Sequence, residues 1–172
     1  MMDFLNKVFF KAAMDQNVQL QWPRAIAFHL AKNALWERTG AEVLYPDFKD
    51  LVLRLIQNMN AIGKPVYLAP KGTTRTAAQQ QALLQQVPPV TTVGPLATYH
   101  NYGLAADLIF EGYGWNPPDA SWWEVLGAEA NKLGLIWGGD FPKMYGGTFR
   151  DLPHVEWHPG FTHKDLAPFF KL

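Results

Sequence analysis

At 172 residues the chain has room for about one domain, and 48% hydrophobic against 17% charged residues is a core-forming composition rather than that of a disordered chain. Fifteen basic residues balance fifteen acidic ones, so no overall field holds nucleic acid or draws the chain to an anionic membrane. The absence of cysteine excludes disulfides, thiolate metal sites and cysteine nucleophiles together, leaving any metal to histidines and carboxylates. The only serine, Ser121, opens Ser121-Trp122-Trp123-Glu124 with the spacing of a capping box, which speaks against a serine triad.

The N-terminal stretch MMDFLNKVFFKAAMDQ carries an early Asp3, no sustained apolar run and no small-residue cleavage site, so no signal peptide is expected. Nor does any run approach the roughly eighteen apolar residues of a membrane span. From Asp3, Leu5, Val8, Phe9 and Ala12 recur at helical spacing, and a second helix is expected from Pro23 through Ile26, Leu30 and Ala34 to Gly40. A third has the clearest period, with Phe48, Leu51, Val52, Leu55, Met59 and Ile62 ending at Gly63, and Pro65 to Ala69 reads as a short strand. Thr76-Ala77-Ala78-Gln79 is a capping box opening a glutamine-rich helix that Pro88 and Pro89 stop, with loop from Val87 to Pro95.

Leu104 to Phe110 reads as a strand with Ala105, Asp107 and Ile109 on one face. The Ser121 box then starts a helix closed by Gly134, and Leu135 to Trp137 enters a glycine-rich turn, Gly138-Gly139-Asp140-Phe141, whose glycines suggest positive φ. His154 to Trp157 is the last strand candidate, followed by a short amphipathic helix over Thr162 to Phe170. These elements predict an α+β domain over residues 44–172, a small antiparallel sheet with flanking helices, with residues 1–43 as a helical N-terminal extension packed on it.

Two of five histidines, His100 and His154, lie beside acidic residues where turns meet strands. A turn at Gly103 can fold His100 back beside the strand that carries Asp107, and Asp151-Leu152-Pro153-His154 supplies a second imidazole. Two histidines and one carboxylate leave an open fourth position on zinc, which is a catalytic rather than a structural arrangement. Cobalt or manganese also suit such a donor set. His29, His158 and His163 are assigned to no metal.

Thr98-x-His100-x-x-Gly103-x-Ala105-x-Asp107, followed by Asp151-x-x-His154, resembles the M15 metallopeptidases. These include D-alanyl-D-alanine dipeptidases and carboxypeptidases and phage L-alanyl-D-glutamate endolysins. Arg75-Thr76 followed by Gln80 is similar to the arginine segment that precedes the family's metal site, so the resemblance spans about residues 44–172. Thr98 stands where many members have serine, a change that keeps the hydroxyl.

The resemblance implies His100, Asp107 and His154 as zinc ligands and Asp151 as general base and acid. Zinc would lower the pKa of its water to about 7 while an unligated carboxylate carries the proton to the leaving amine. Strand parity alone favours Glu156, which shares a face with His154, but Pro153 makes the Asp151 side a turn. The resemblance decides for Asp151 and leaves Glu156 to orient a liganding histidine. Arg75 is expected to face a developing oxyanion or a substrate carboxylate, with Gln80 and Thr98 as further substrate contacts. Tyr99, Tyr102, Tyr113, Trp115, Trp137 and Tyr145 could line a groove or simply pack.

The expected activity is a monomeric zinc peptidase hydrolysing the L-alanyl-D-glutamate bond of the peptidoglycan stem peptide, as phage endolysins do. It would wait in the host cytoplasm until a holin releases it. D-alanyl-D-alanine carboxypeptidase activity is the second expectation, and a non-catalytic virion or cell-wall binding module the third. Neither nucleic acid nor membrane insertion is expected.

Overall fold

A computed structural model describes residues 43–170. The two helices expected before Gly40, and with them the packing of the N-terminal extension, lie outside the described residues.

Helix α1 (Pro46–Ala61) opens with proline in its first turn, where no intrahelical N–H is required, and buries Phe48, Val52, Leu55 and Met59 along one stripe. Gly63 turns the chain at φ +71 into strand β1 (Val66–Leu68). Thr76 then caps α2 (Ala77–Leu84): its hydroxyl accepts from Gln79 N and Gln79 Oε1 accepts from Thr76 N, the reciprocal pair that the sequence predicts. Strand β2 (Ala105–Phe110) is buried on both faces. After it come α3 (Ser121–Lys132), β3 (Ile136–Trp137), α4 (Phe141–Tyr145), β4 (His154–Glu156) and α5 (His163–Leu166).

The strands form one antiparallel sheet in the order β1-β2-β4-β3, in which Val66 faces Phe110, Asp107 faces His154, and Glu156 lies between Ala105 and Ile136. Leu108, Phe110 and Val155 join the α1 stripe, Leu126 and Trp123 in the core, with the Phe110 ring 4.8 Å from that of Trp123. Side chains alternate along a strand, so burying Leu108 and Val155 in that core turns their neighbours Asp107, His154 and Glu156 to the opposite face. The apolar pattern thereby aims the polar residues.

Three local expectations are corrected. Ser121 does not cap α3: the chain enters the helix one residue earlier, the Ser121 amide donates to Asp119 Oδ1 at 2.8 Å, and Glu124 accepts from Arg150 instead of folding back. The last helix is broken, because Pro168 lacks the N–H that would continue α5, and residues Ala167–Phe169 tighten into a 3-10 turn. Gly138 and Gly139 do not have positive φ; their reason is close approach. A Cβ on Gly138 would lie 2.3 Å from the Asp151 carbonyl oxygen, and one on Gly139 2.3 Å from the Trp137 ring. Helix α4, between these glycines and Asp151, is not foreshadowed by any apolar period.

Candidate metal centre

His100 sits in a 3-10 turn, Tyr99–Tyr102, opened by the Thr98 hydroxyl accepting from His100 N and closed by Gly103 at φ +68. A side chain at Gly103 would also press on the Val43 carbonyl oxygen, 3.1 Å from the Cβ position. The turn returns His100 to the Asp107 face of β2. Asp107 Oδ1 lies 3.4 Å from His100 Nε2 and 3.2 Å from His154 Nδ1. One donor atom from each of these three buried residues falls within 4.8 Å of the others.

The far nitrogen of each imidazole is also held. His100 Nδ1 is 2.6 Å from the Thr73 carbonyl oxygen, which can only accept, so the proton of the neutral ring sits there and Nε2 is bare. His154 Nε2 is 3.0 Å from Glu156 Oε2, which by the same argument leaves Nδ1 bare in the neutral ring. Two lone pairs and a carboxylate oxygen therefore converge on one point, a donor set that fits a zinc-class cation with its outer shell in place. Without a cation the charges compensate locally. Burial disfavours a charged His154, but its bonds to Asp107 and Glu156 outweigh that and push its pKa up to about 10. Burial likewise works against the Asp107 carboxylate, and the two histidines overcome it, holding the group far below the usual carboxylate range.

Asp151 lies at the rim of this cluster. Its amide donates to the Gly138 carbonyl at 3.0 Å and its carbonyl accepts from His154 N at 3.2 Å, so the 151–154 turn ties it to the second histidine. Among the described residues its carboxylate makes no hydrogen bond or ion pair. Burial pushes its pKa up, with His154 the largest opposing influence. Arg150 does not pair with it, donating instead to Gly139 O at 2.8 Å and Glu124 Oε1 at 2.7 Å.

Arg75 is brought to the site, its amide donating to the His100 carbonyl and its own carbonyl accepting from Asn101. Its guanidinium Nη2 meets Asp107 Oδ2 at 3.0 Å. Gln80 is not solvated: it is buried, with Oε1 near Arg75 Nη1 and Nε2 donating to the Val93 carbonyl at 2.8 Å. Tyr102 and Trp137 are core, whereas Tyr145 is exposed over the site, its hydroxyl 3.5 Å from Glu156 Oε1. Tyr113 and Trp115 are half-exposed on the turn after β2. His158, which sequence reasoning left unassigned, lies 2.7 Å from Glu156 through Nε2.

Residues 92–157, which contain His100, Asp107, Asp151, His154 and Glu156, match a peptidase M15 family described as D-alanyl-D-alanine carboxypeptidase. Over these residues the chain is similar to the M15 peptidases. It is 35% identical over 72 residues to the peptidoglycan L-alanyl-D-glutamate endopeptidase CwlK of Bacillus subtilis (strain 168), a match covering 36% of this chain and 40% of that relative's length. The fold is similar to that of the vancomycin-resistance D,D-pentapeptidase VanY of a VanB-type cassette in complex with Zn(II), at TM-score 0.52 and 16% identity over 72% of this chain and 83% of that one. The LD-carboxypeptidase LdcB gives TM-score 0.50 and 18% identity over 75% of this chain and 72% of that one.

Proposed function

We infer that this M15 domain is a zinc-dependent peptidoglycan peptidase that hydrolyses the L-alanyl-D-glutamate bond of the stem peptide. The observation that carries the reading is the convergence of His100 Nε2, Asp107 Oδ1 and His154 Nδ1 beside an unengaged Asp151 carboxylate. The likeness to CwlK supports the choice of bond.

His100, Asp107 and His154 would hold the ion, which supplies a Lewis acid for the scissile carbonyl and lowers the pKa of water. Asp151, unligated and with its pKa raised by burial, takes the proton of the attacking water and returns it to the departing amine. Arg75, fixed beside Asp107, offers its remaining N–H donors to the oxygen that gains charge or to a substrate carboxylate. Gln80 holds that guanidinium from behind, and Thr98 shapes the turn that presents His100.

The second reading is D-alanyl-D-alanine carboxypeptidase activity, favoured by the description of the matching family. Digestion of purified peptidoglycan followed by mass spectrometry separates the two: new N-terminal D-glutamyl peptides support the endopeptidase, released D-alanine the carboxypeptidase, and unchanged muropeptides with zinc-loaded protein oppose both. A phage lysis role, with holin-dependent release from the host cytoplasm, is the biological setting we attach to this activity on the sequence resemblance. Among the described residues no helix is long and apolar enough to cross a membrane.

A further inference from the structure

Glu156 makes more contacts than orienting one histidine needs. Its Oε2 faces His154 Nε2 at 3.0 Å, while Oε1 faces His158 Nε2 at 2.7 Å and the Tyr145 hydroxyl at 3.5 Å. The Glu156 side chain is buried and that of His158 one-quarter exposed, so the carboxylate is shielded and its orientation is set by these partners rather than by water. His158 is itself fixed: its ring stacks on that of Tyr99 with centroids 4.2 Å apart and planes 21° from parallel. Tyr99 is anchored in turn by its hydroxyl, which donates to the Phe161 carbonyl at 3.1 Å.

Tyr99 immediately precedes His100. The 3-10 turn that presents one candidate ligand therefore also carries the wall against which His158 rests, and His158 reaches through Glu156 to the other candidate ligand. We propose that His158 is a positioning residue for the metal centre: by donating from Nε2 to Glu156 Oε1 it locks the carboxylate that holds His154, and so keeps His154 Nδ1 aimed at the ion. The chain His158–Glu156–His154 follows strand spacing, every second residue, which is why the three side chains lie on one side of β4 and its continuation. Glutamine at 156 could not serve all of these donors with acceptors, since its NH2 would face one of them.

This inference rests on the metal-centre reading above, and its test distinguishes the two. His158→Phe keeps a ring for the Tyr99 stack and removes the donor, whereas His158→Gln restores an N–H donor near the same place. Zinc affinity is measured on the purified full chain by competition with a chromogenic chelator, and the ligand field is read from the visible spectrum of the cobalt-substituted protein. His158→Phe should weaken zinc roughly tenfold or more and shift the cobalt bands, in the range usual for loss of an outer-shell partner. His158→Gln should recover most of the affinity. In a Glu156→Gln background, adding His158→Phe should cost little further, because His158 acts through that carboxylate. Unchanged affinity and spectrum in His158→Phe, or a loss that adds in full to that of Glu156→Gln, overturns the role of His158. Wild-type protein that binds no divalent metal overturns the metal-centre reading and this inference with it.

Discussion

Arg75 Nη2 and Asp107 Oδ2 meet at 3.0 Å, and the contact divides the carboxylate between two tasks: Oδ2 faces the guanidinium while Oδ1 faces both imidazoles. An arginine placed in this way would stand beside an ion held by the proposed ligands without competing for Asp107 Oδ1. Its own position is fixed by backbone bonds to the His100 turn, so on the proposed mechanism its charge would be preorganised where a scissile carbonyl develops negative charge.

Arg75→Ala should therefore fold and retain zinc but lose turnover by about 10² to 10³, the usual cost of removing one oxyanion donor. Arg75→Lys should recover only part of the rate, because an ammonium restores charge without the fork. Kinetics on a defined stem peptide at saturating zinc decide this. Wild-type turnover in Arg75→Ala would reduce the residue to a structural partner of Asp107.

Asp151→Asn should keep zinc and abolish turnover, since an amide can neither take nor return the proton while the three ligands remain in place. Glu156→Gln should show the reverse emphasis, with weakened zinc and residual activity when zinc is raised. Metal analysis of both variants beside their rates checks the division. Equal loss of zinc in Asp151→Asn and His154→Ala would make Asp151 a ligand.

The comparison of these two carboxylates shows what the sequence could convey. Strand parity correctly placed Glu156 with His154, but parity reports only which face a side chain takes. Both Glu156 oxygens are occupied by donors, whereas Asp151 reaches the same cluster from a turn, where parity does not apply. Gly103 and Asp107 were readable for local reasons, a reversal before a strand and an acid on its small-residue face. His158 was passed over although it continues the every-second-residue spacing, because its partner is fixed only once Tyr99 stacks on it from 59 residues away in the chain. The burial of Gln80, expected as a substrate contact, is likewise not legible locally, because it depends on the Val93 loop closing over it.

The titrating groups set the stability of the metal-free protein. Glu156 is disfavoured as an anion by burial, yet its bonds to His154 and His158 bring it down to about 2 from an ordinary 4.5, so its contribution is present above pH 4.5 and is lost as pH falls toward 2. His154 is raised from 6.5 to about 10, so its contribution is present below pH 6.5 and is lost as pH rises toward 10. Metal-free protein should therefore melt highest between about pH 4.5 and 6.5, and zinc uptake near pH 7 should release protons, because a liganding imidazole must be neutral. Melting curves across pH with a chelator present, and calorimetry in buffers of different ionisation enthalpy, measure the two effects. A melting temperature that keeps rising through pH 9 contradicts the assignment to His154.

The glycines before α4 offer the last test, because the structure gives them a reason different from the one their sequence suggests. Gly138 lies against the backbone of Asp151, and its missing Cβ would also stand 3.0 Å from the Cβ atoms of Asp151 and His154. Backbone cannot swing aside as a flexible side chain can, so Gly138→Ala should push the 151–154 turn away from β3 and displace the proposed base and a proposed ligand together. Overpacking of this kind typically costs about 1–3 kcal/mol, and the same displacement should reduce both turnover and zinc affinity. Gly146, whose φ of +77 leaves open space at the Cβ position, is the control. Gly146→Ala should pay only the backbone strain of φ +77, ψ −177, a region essentially confined to glycine and costing about 1–3 kcal/mol, and leave zinc affinity unchanged. Thermal unfolding and chelator competition on the two variants separate close approach from backbone conformation. Equal zinc affinity in Gly138→Ala and wild type would mean that the turn accommodates a methyl group without moving His154.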